Sequence, residues 1–211
     1  MRNFENWETQ DLEIEFGLNQ VFNMPLLDAW LNTPNCFLSE YETTRVENLR
    51  QKLNDRIEFW NEDELKILFI SPIFLTVEFE TFNTRSFSKR FFKTSSNNAE
   101  IGGNIDFLVA RGKQKPISPY FFICNYKQKP KKGIYDPKGQ LISKLFAVQQ
   151  HSMVNFPLYG CYIVGKQWFF VVLTGKEYAV SNAFNASDDD IYKIVAILRQ
   201  VKVYIEQFMS N

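Results

Sequence analysis

The chain has 211 residues, of which 45% are hydrophobic and 16% aromatic, and its basic and acidic side chains balance to a formal net charge of zero. This length and apolar content suit one well-buried domain and exclude two domains of ordinary size. A zero net charge excludes a globally basic surface. Contact with nucleic acid would therefore depend on a local basic cluster.

The spacing of the cysteines and the hydropathy of the chain indicate in which cellular compartment the protein is expected. Cys36, Cys124 and Cys161 lie far apart without metal-binding spacing, which predicts reduced thiols and no structural zinc. The segment 1–15 is charged and has no apolar core, so it does not have the form of a signal peptide. The longest apolar region, 156–173, is interrupted by polar residues and is too short to span a bilayer. We therefore expect a soluble, cytoplasmic protein with no membrane contact.

The first third of the chain is predicted to be helical. Residues 1–38 have weak periodicity and predict an irregular arm, with a short helix around 26–31, that packs on a single domain formed by residues 39–211. Ser39 and Glu42 have the form of a capping box. The long amphipathic helix that follows would bury Val46, Leu49, Leu53, Ile57 and Trp60.

The elements that follow alternate between helix and strand. Asn61 and Glu64 repeat the cap signal of a second helix, and Pro72 marks where that helix stops or bends. Composition then predicts strands at 75–82, 87–92, 101–110 and 120–127, a helix at 140–150, a hairpin of strands 158–164 and 168–173, and a last helix capped by Ser187. This order predicts an α/β fold with a central mixed sheet between helices.

Five polar side chains in this region could form one site. Residues two apart in a strand face the same way, so Asn125 and Lys127 should share a face, and Asp106 on the neighbouring strand can join them. Gln140 opens the next helix and Lys144 lies one turn further on, where both could contact phosphate. Oxygen ligands in this arrangement suit Mg²⁺, and a nearby lysine can orient water. The alternative is that these are ordinary strand-end and surface residues.

The same residues carry a resemblance to a known family. The segments that carry it are Glu62-Asp63-Glu64-Leu65-Lys66, Gly103-Asn104-Ile105-Asp106, Asn125-Tyr126-Lys127, Asp136-Pro137-Lys138-Gly139-Gln140-Leu141 and Gly165-Lys166-Gln167-Trp168-Phe169-Phe170. In order and spacing they resemble the PD-(D/E)xK nuclease superfamily, near the nuclease domain of type I restriction motor subunits and its bacterial stand-alone relatives. The resemblance implies a restriction-endonuclease-like three-layer core.

The resemblance also implies a site with one changed part. Asp106, Asn125, Lys127 and Gln140 fall on the catalytic positions, and Asn125 stands where the family has its second carboxylate. Loss of that charge should weaken Mg²⁺ binding. Glu62 or Glu64 could supply the missing charge from the preceding helix, as metal ligands beside Asp106 and Asn125; alternatively Glu100, just upstream of the Asp106 strand, could move in. Asn125→Glu should restore metal binding.

Two functions stay open at this point. The first is a degenerate or weakly active Mg²⁺-dependent DNA phosphodiesterase, acting as an endo- or exodeoxyribonuclease. The alternative is a non-catalytic module on the same fold that binds nucleic acid or another protein. Basic side chains after the motif strand could touch DNA phosphates, although solvated lysines are an equal alternative; they are Lys129, Lys131, Lys132 and Lys138.

Overall fold

A single mixed sheet runs through the computed structural model, which describes residues 1–33, 37–96, 99–127 and 136–210. Its strands are β1 (Arg2–Asn3), β2 (Asn19–Gln20), β3 (Thr84–Ser96), β4 (Ala99–Arg111), β5 (Ile117–Lys127), β6 (Leu158–Val164), β7 (Gln167–Thr174), β8 (Glu177–Val180) and β9 (Phe184–Asn185). The strand order is β1-β4-β5-β6-β7-β8-β2, with β3 paired to β4 and β9 paired to β7.

The helices form a layer on each face of this sheet. They are α1 (Thr9–Phe16), α2 (Pro25–Leu31), α3 (Glu40–Arg56), α4 (Glu62–Leu65), α5 (Ser71–Val77), α6 (Pro137–Gln150) and α7 (Asp190–Ser210), with a π-helical turn at Lys66–Ile70 and 3₁₀ turns at Phe4–Asn6 and Ile57–Phe59. One core cluster joins the sheet to α1 and α6, and the other joins it to α2, α3, α5 and α7. The predicted α/β fold with three layers is confirmed.

The centre of the sheet follows from its connections. Strands β3, β4 and β5 form an antiparallel meander. Strand β6 is parallel to β5, and this geometry requires a crossover, which α6 supplies. The ends of β5 and the start of α6 therefore meet at one edge of the sheet, where the candidate residues lie.

The second helix continues beyond Pro72, so the predicted strand at 75–82 is wrong. The widened π-helical turn at Lys66–Ile70 precedes Pro72, which then sits in the first turn of α5, where its missing N–H is tolerated. Helix α5 runs to Val77 and buries a helical stripe rather than an alternating one, with Leu75 exposed. The chain enters the sheet only at Thr84.

The arm is more ordered than its periodicity suggests. The short helix is present as α2, but β1 pairs with β4 in parallel and β2 pairs with β8, so the arm supplies two strands of the sheet. Phe4 is fully buried in the core. The predicted irregularity is therefore wrong, because two-residue strands leave no readable alternation in a sequence.

The remaining strand predictions agree with the structure within a few residues, and strands β8 and β9 were missed. The capping box between Ser39 and Glu42 is present at the start of α3. Among the described residues, none of the helices combines the length and the apolar character needed to cross a membrane.

Candidate functional site

The candidate side chains lie on the α6 face of the sheet. Ile123 belongs to the core cluster of α1 and α6, whereas Cys124 and Tyr126 belong to the cluster on the other face. Strand alternation therefore turns Asn125 and Lys127 toward α6, as the sequence pattern predicts. Both are buried, which is unusual for a lysine.

Lys144 is the centre of the site. Its Nζ donates to Asp106 Oδ2 at 2.8 Å and to Asn125 Oδ1 at 2.8 Å. Lys144 is only 3% exposed and Asn125 only 1%, while the side chain of Asp106 is 24% exposed. A buried ammonium is costly unless it is paired, and here one carboxylate and one amide oxygen pair it.

A hydrogen-bonded chain continues from Asn125 to the N-terminal arm. Asn125 Nδ2 donates to Gln140 Oε1 at 3.4 Å, and Gln140 Nε2 donates to the backbone carbonyl of Glu5 at 3.3 Å. Each amide thus has a partner for its donor and its acceptor sides. These two hydrogen bonds link β5 to α6 and α6 to the 3₁₀ turn of the arm.

Lys127 lies between two carboxylates at the end of β5. Its Nζ lies 3.1 Å from Glu62 Oε1, at the start of α4, and 3.4 Å from Glu5 Oε1. Burial lowers the pKa of Lys127, but the charges of Glu62, Glu5 and Asp106 outweigh it, so its pKa is raised overall. Lys127 is therefore a protonated, paired cation at neutral pH.

The structure brings Asp106, Asn125, Lys127, Gln140 and Glu62 together but not Glu64. The Glu64 carboxylate accepts from the backbone N–H of Asn61 at 2.7 Å and closes the cap of α4. Its expected role as a metal ligand is replaced by this capping role.

Of the four lysines that could contact DNA phosphates, one lies among the described residues. Lys129, Lys131 and Lys132 lie outside the described residues. Lys138 is described, and its Nζ lies 3.2 Å from Gln20 Oε1 of strand β2.

The residues present do not fit a Mg²⁺ ion. Magnesium takes an octahedral oxygen shell and relies on carboxylates, and Asp106 is the one carboxylate bonded to Lys144 among the residues that the structure describes. The ammonium of Lys144 contacts the oxygens of both Asp106 and Asn125, and its positive charge would repel a dication there. Within the described part of the chain, no three His, Cys, Asp or Glu side chains form a group that could hold a metal.

Two residues at the site were missed by the sequence interpretation. Glu5 carries no sequence signal of its own, because it reaches the site through β1. Asp136 precedes a proline and should have been recognised as the N-cap of α6. Its Oδ1 accepts from Gly139 N at 2.8 Å and its Oδ2 accepts from Thr9 N at 2.7 Å. Asp136 therefore starts α6 and anchors α1 to it.

The glycines of the motif strand make room for the arm. A Cβ at Gly103, which has φ of +154°, would lie 2.9 Å from the Phe4 ring, and a Cβ at Gly102 would lie 2.8 Å from Met1 Sδ. Strand β4 pairs with β5 from Phe107 onward, and β1 of the arm pairs with β4 earlier, at Ile101 and Gly102. The arm therefore packs against the first half of β4.

Comparison with known proteins assigns no family. A scan of the chain against protein-family models found no match, and a search of curated proteins found none either.

Proposed function

We propose that this chain is a non-catalytic nucleic-acid-binding protein built on a nuclease-like fold. The observation that carries the proposal is the position of the Lys144 ammonium, 2.8 Å from both Asp106 and Asn125. These are the two side chains that the PD-(D/E)xK resemblance assigns to the metal. The order of motifs supports the lineage: an aspartate in one strand, a residue-x-lysine in the next and a glutamine at the start of the following helix.

The charge balance supports a role without metal. In a hydrolytic site of this kind a dication neutralises paired carboxylates and the phosphate. In this chain one positive charge on Lys144 faces one negative charge on Asp106, so the local balance is satisfied without an ion. The neutral amide of Asn125 suits this arrangement, because it accepts from the ammonium without adding charge.

The groups that would act on a phosphate are also engaged by the chain itself. Lys127 is paired with Glu62 and Glu5, and the amide of Gln140 donates to the Glu5 carbonyl. A phosphate in contact with Gln140 would have to displace the backbone carbonyl of Glu5. The Glu5 side chain is 57% exposed, but its backbone is adjacent to the fully buried Phe4, so moving that backbone would disturb the core. Nucleic acid would therefore bind elsewhere on the surface.

A weakly active metal-dependent DNA phosphodiesterase is the second candidate. It is favoured by the partial exposure of Asp106 and of Glu62, whose side chain is 38% exposed beside Lys127. Rotation of Glu62 toward Asp106 would bring a second carboxylate to the site. This candidate requires Lys144 to leave its two partners, which makes it the less favoured one.

Metal titration separates the two candidates. We expect calorimetric titration of the purified protein with Mn²⁺ and Mg²⁺ to give the same small heats for wild type and Asp106→Ala. Labelled single-stranded and duplex DNA should bind in the presence of a chelator and stay intact when Mg²⁺ is added. Mg²⁺-dependent cleavage that disappears in Asp106→Ala would contradict the proposal and favour the second candidate.

A further inference from the structure

A basic groove with an exposed aromatic ring lies at the outer edge of the sheet, away from the candidate site. It encloses about 630 Å³ between β3 and the segment that connects β4 to β5. Its lining includes Arg90, Phe91, Phe92, Lys93, Lys115 and His151. Phe91 is 56% exposed.

The groove is positively charged although the whole chain is neutral. The described residues that line it include no carboxylate. Among the described residues, the ion pairs do not involve Arg90, Lys93 or Lys115. Exposed Lys89 and Lys113 are next to these residues in sequence. The groove is therefore a local site of positive potential that an anion can enter.

Protection of a sheet edge explains only part of this arrangement. In the described part of the chain strand β3 pairs with β4 alone, and Lys89 at φ of +51° is left out of the register between Ser88 and Arg90. Lysines and bulges are common devices that keep an edge strand from pairing with another chain. An exposed phenylalanine works against that purpose, because it adds apolar surface to the same edge.

We propose that this groove binds single-stranded nucleic acid. The inference rests on the proposed function and names the surface and the strandedness of its ligand. Backbone phosphates lie along Lys93 and Lys115, and a base stacks on Phe91, which shares a strand face with Lys93. Proteins that bind single strands without sequence preference combine a positive groove with an aromatic stacking surface in this way. A duplex offers no free base face to Phe91, so the ring selects for the single strand.

Binding of oligothymidylate by fluorescence anisotropy tests the groove, with a chelator present throughout. Phe91→Ala should weaken binding about tenfold, because one base loses its stacking partner. Lys93→Ala with Lys115→Ala should lower the slope of log affinity against log salt by about 0.7 for each lysine removed. Two control variants on other surfaces should leave both values unchanged: Phe59→Ala removes a ring that is more exposed than Phe91, at 79%, and Lys52→Ala removes an exposed lysine of α3.

The outcomes separate failure of the groove from failure of the proposed function. If oligothymidylate binding is the same in wild type, Phe91→Ala and the double lysine variant, the groove is not the binding surface. The proposal of a non-catalytic binding protein would then still stand. Equal loss of duplex and single-strand binding in Phe91→Ala would overturn the stacking role. Hydrolysis of the strand when Mg²⁺ is added would overturn the proposed function, but the groove would remain the proposed binding surface. Binding of neither single-stranded nor duplex DNA by wild type would overturn both the groove and the proposed function.

Discussion

The Nζ of Lys144 lies 2.8 Å from Asn125 Oδ1. The PD-(D/E)xK resemblance implies a carboxylate at position 125 with a metal ion beside it, and in this chain an amide and a lysine ammonium are found instead. The two positions are coupled. A neutral amide at position 125 leaves Lys144 with one full negative partner, Asp106, so the three side chains carry no net charge between them. A glutamate at position 125 would form an ion pair with Lys144, and this pair would compete with metal binding.

This coupling changes the expected outcome of a rescue experiment. The sequence alone suggests that Asn125→Glu restores metal binding. With Lys144 in place, we expect Asn125→Glu to form an ion pair and to bind Mn²⁺ no better than wild type. Asn125→Glu combined with Lys144→Ala removes the cation and pairs two carboxylates, so it should bind Mn²⁺ at least about tenfold more tightly by calorimetry.

Asp106→Ala in the background of that double variant is the control, because it should abolish the gained affinity. Tight Mn²⁺ binding by Asn125→Glu alone would show that Lys144 yields its place readily. In that case the argument for a site without metal would lose its main support.

Removal of Lys144 alone should destabilise the fold. Lys144→Ala leaves the oxygen of buried Asn125 without its donor and Asp106 without its counter-charge. We expect a loss of about 1–3 kcal/mol in the free energy of unfolding, measured in urea. Lys138→Ala on the same helix removes a lysine that, within the described residues, bonds to Gln20, and should cost about 0.5 kcal/mol or less. Equal losses would mean that the buried network contributes little.

The sequence predicts this site better than it predicts the arm. Strand alternation and the helix start are local properties, so Asp106, Asn125, Lys127 and Gln140 could be placed on one side of the sheet without a structure. The role of Lys144 depends on the distance between α6 and β4, which no local pattern encodes.

The arm depends entirely on long-range contacts. Glu5 reaches Lys127 across more than half the chain, and the short strands β1 and β2 exist only because β4 and β8 offer partners. In the same way, Pro72 predicts that the helix stops or bends, and its continuation into α5 is not predicted because the π-helical turn before Pro72 has no sequence signal.

Gly103 should be required for the arm to pack. A Cβ at this position meets the Phe4 ring at 2.9 Å and also forces φ of +154° on a residue with a side chain. We expect Gly103→Ala to lower the free energy of unfolding by about 2–4 kcal/mol, from the sum of backbone strain and overpacking. Gly175→Ala is the matched control: it has φ of +57° but open space around it, so only the strain of about 1–2 kcal/mol remains. Equal effects in thermal or urea unfolding would argue against the contact with Phe4.

Removal of the Asp136 carboxylate should lower the free energy of unfolding by more than the loss of an ordinary helix N-cap does. Its carboxylate accepts from Gly139 N in α6 and from both the backbone N–H and the hydroxyl of Thr9. We expect Asp136→Ala to destabilise by about 2–3 kcal/mol, above the usual cost of about 1 kcal/mol for losing an N-cap. Asn61→Ala removes the exposed cap of α4 and provides the usual value for comparison. If Asp136→Ala costs no more than Asn61→Ala in urea unfolding, the anchoring of α1 contributes nothing measurable.

Glu42 should give the fold an acid-sensitive contribution. A hydrogen bond from the backbone N–H of Ser39, at 2.8 Å, is the main cause that lowers the pKa of Glu42, and Arg199 adds to it. Because the pKa is lower in the folded state, the stabilisation is present above the unfolded pKa of about 4.3 and is lost as pH falls through the folded value. Glu42→Gln should therefore be less stable than wild type at neutral pH, and the difference should shrink as the pH falls below about 4. Urea unfolding at a series of pH values measures this, with Glu40→Gln as a control that removes a charge from the same helical turn. A difference between wild type and Glu42→Gln that stays constant from neutral pH to below the folded pKa would contradict the linkage.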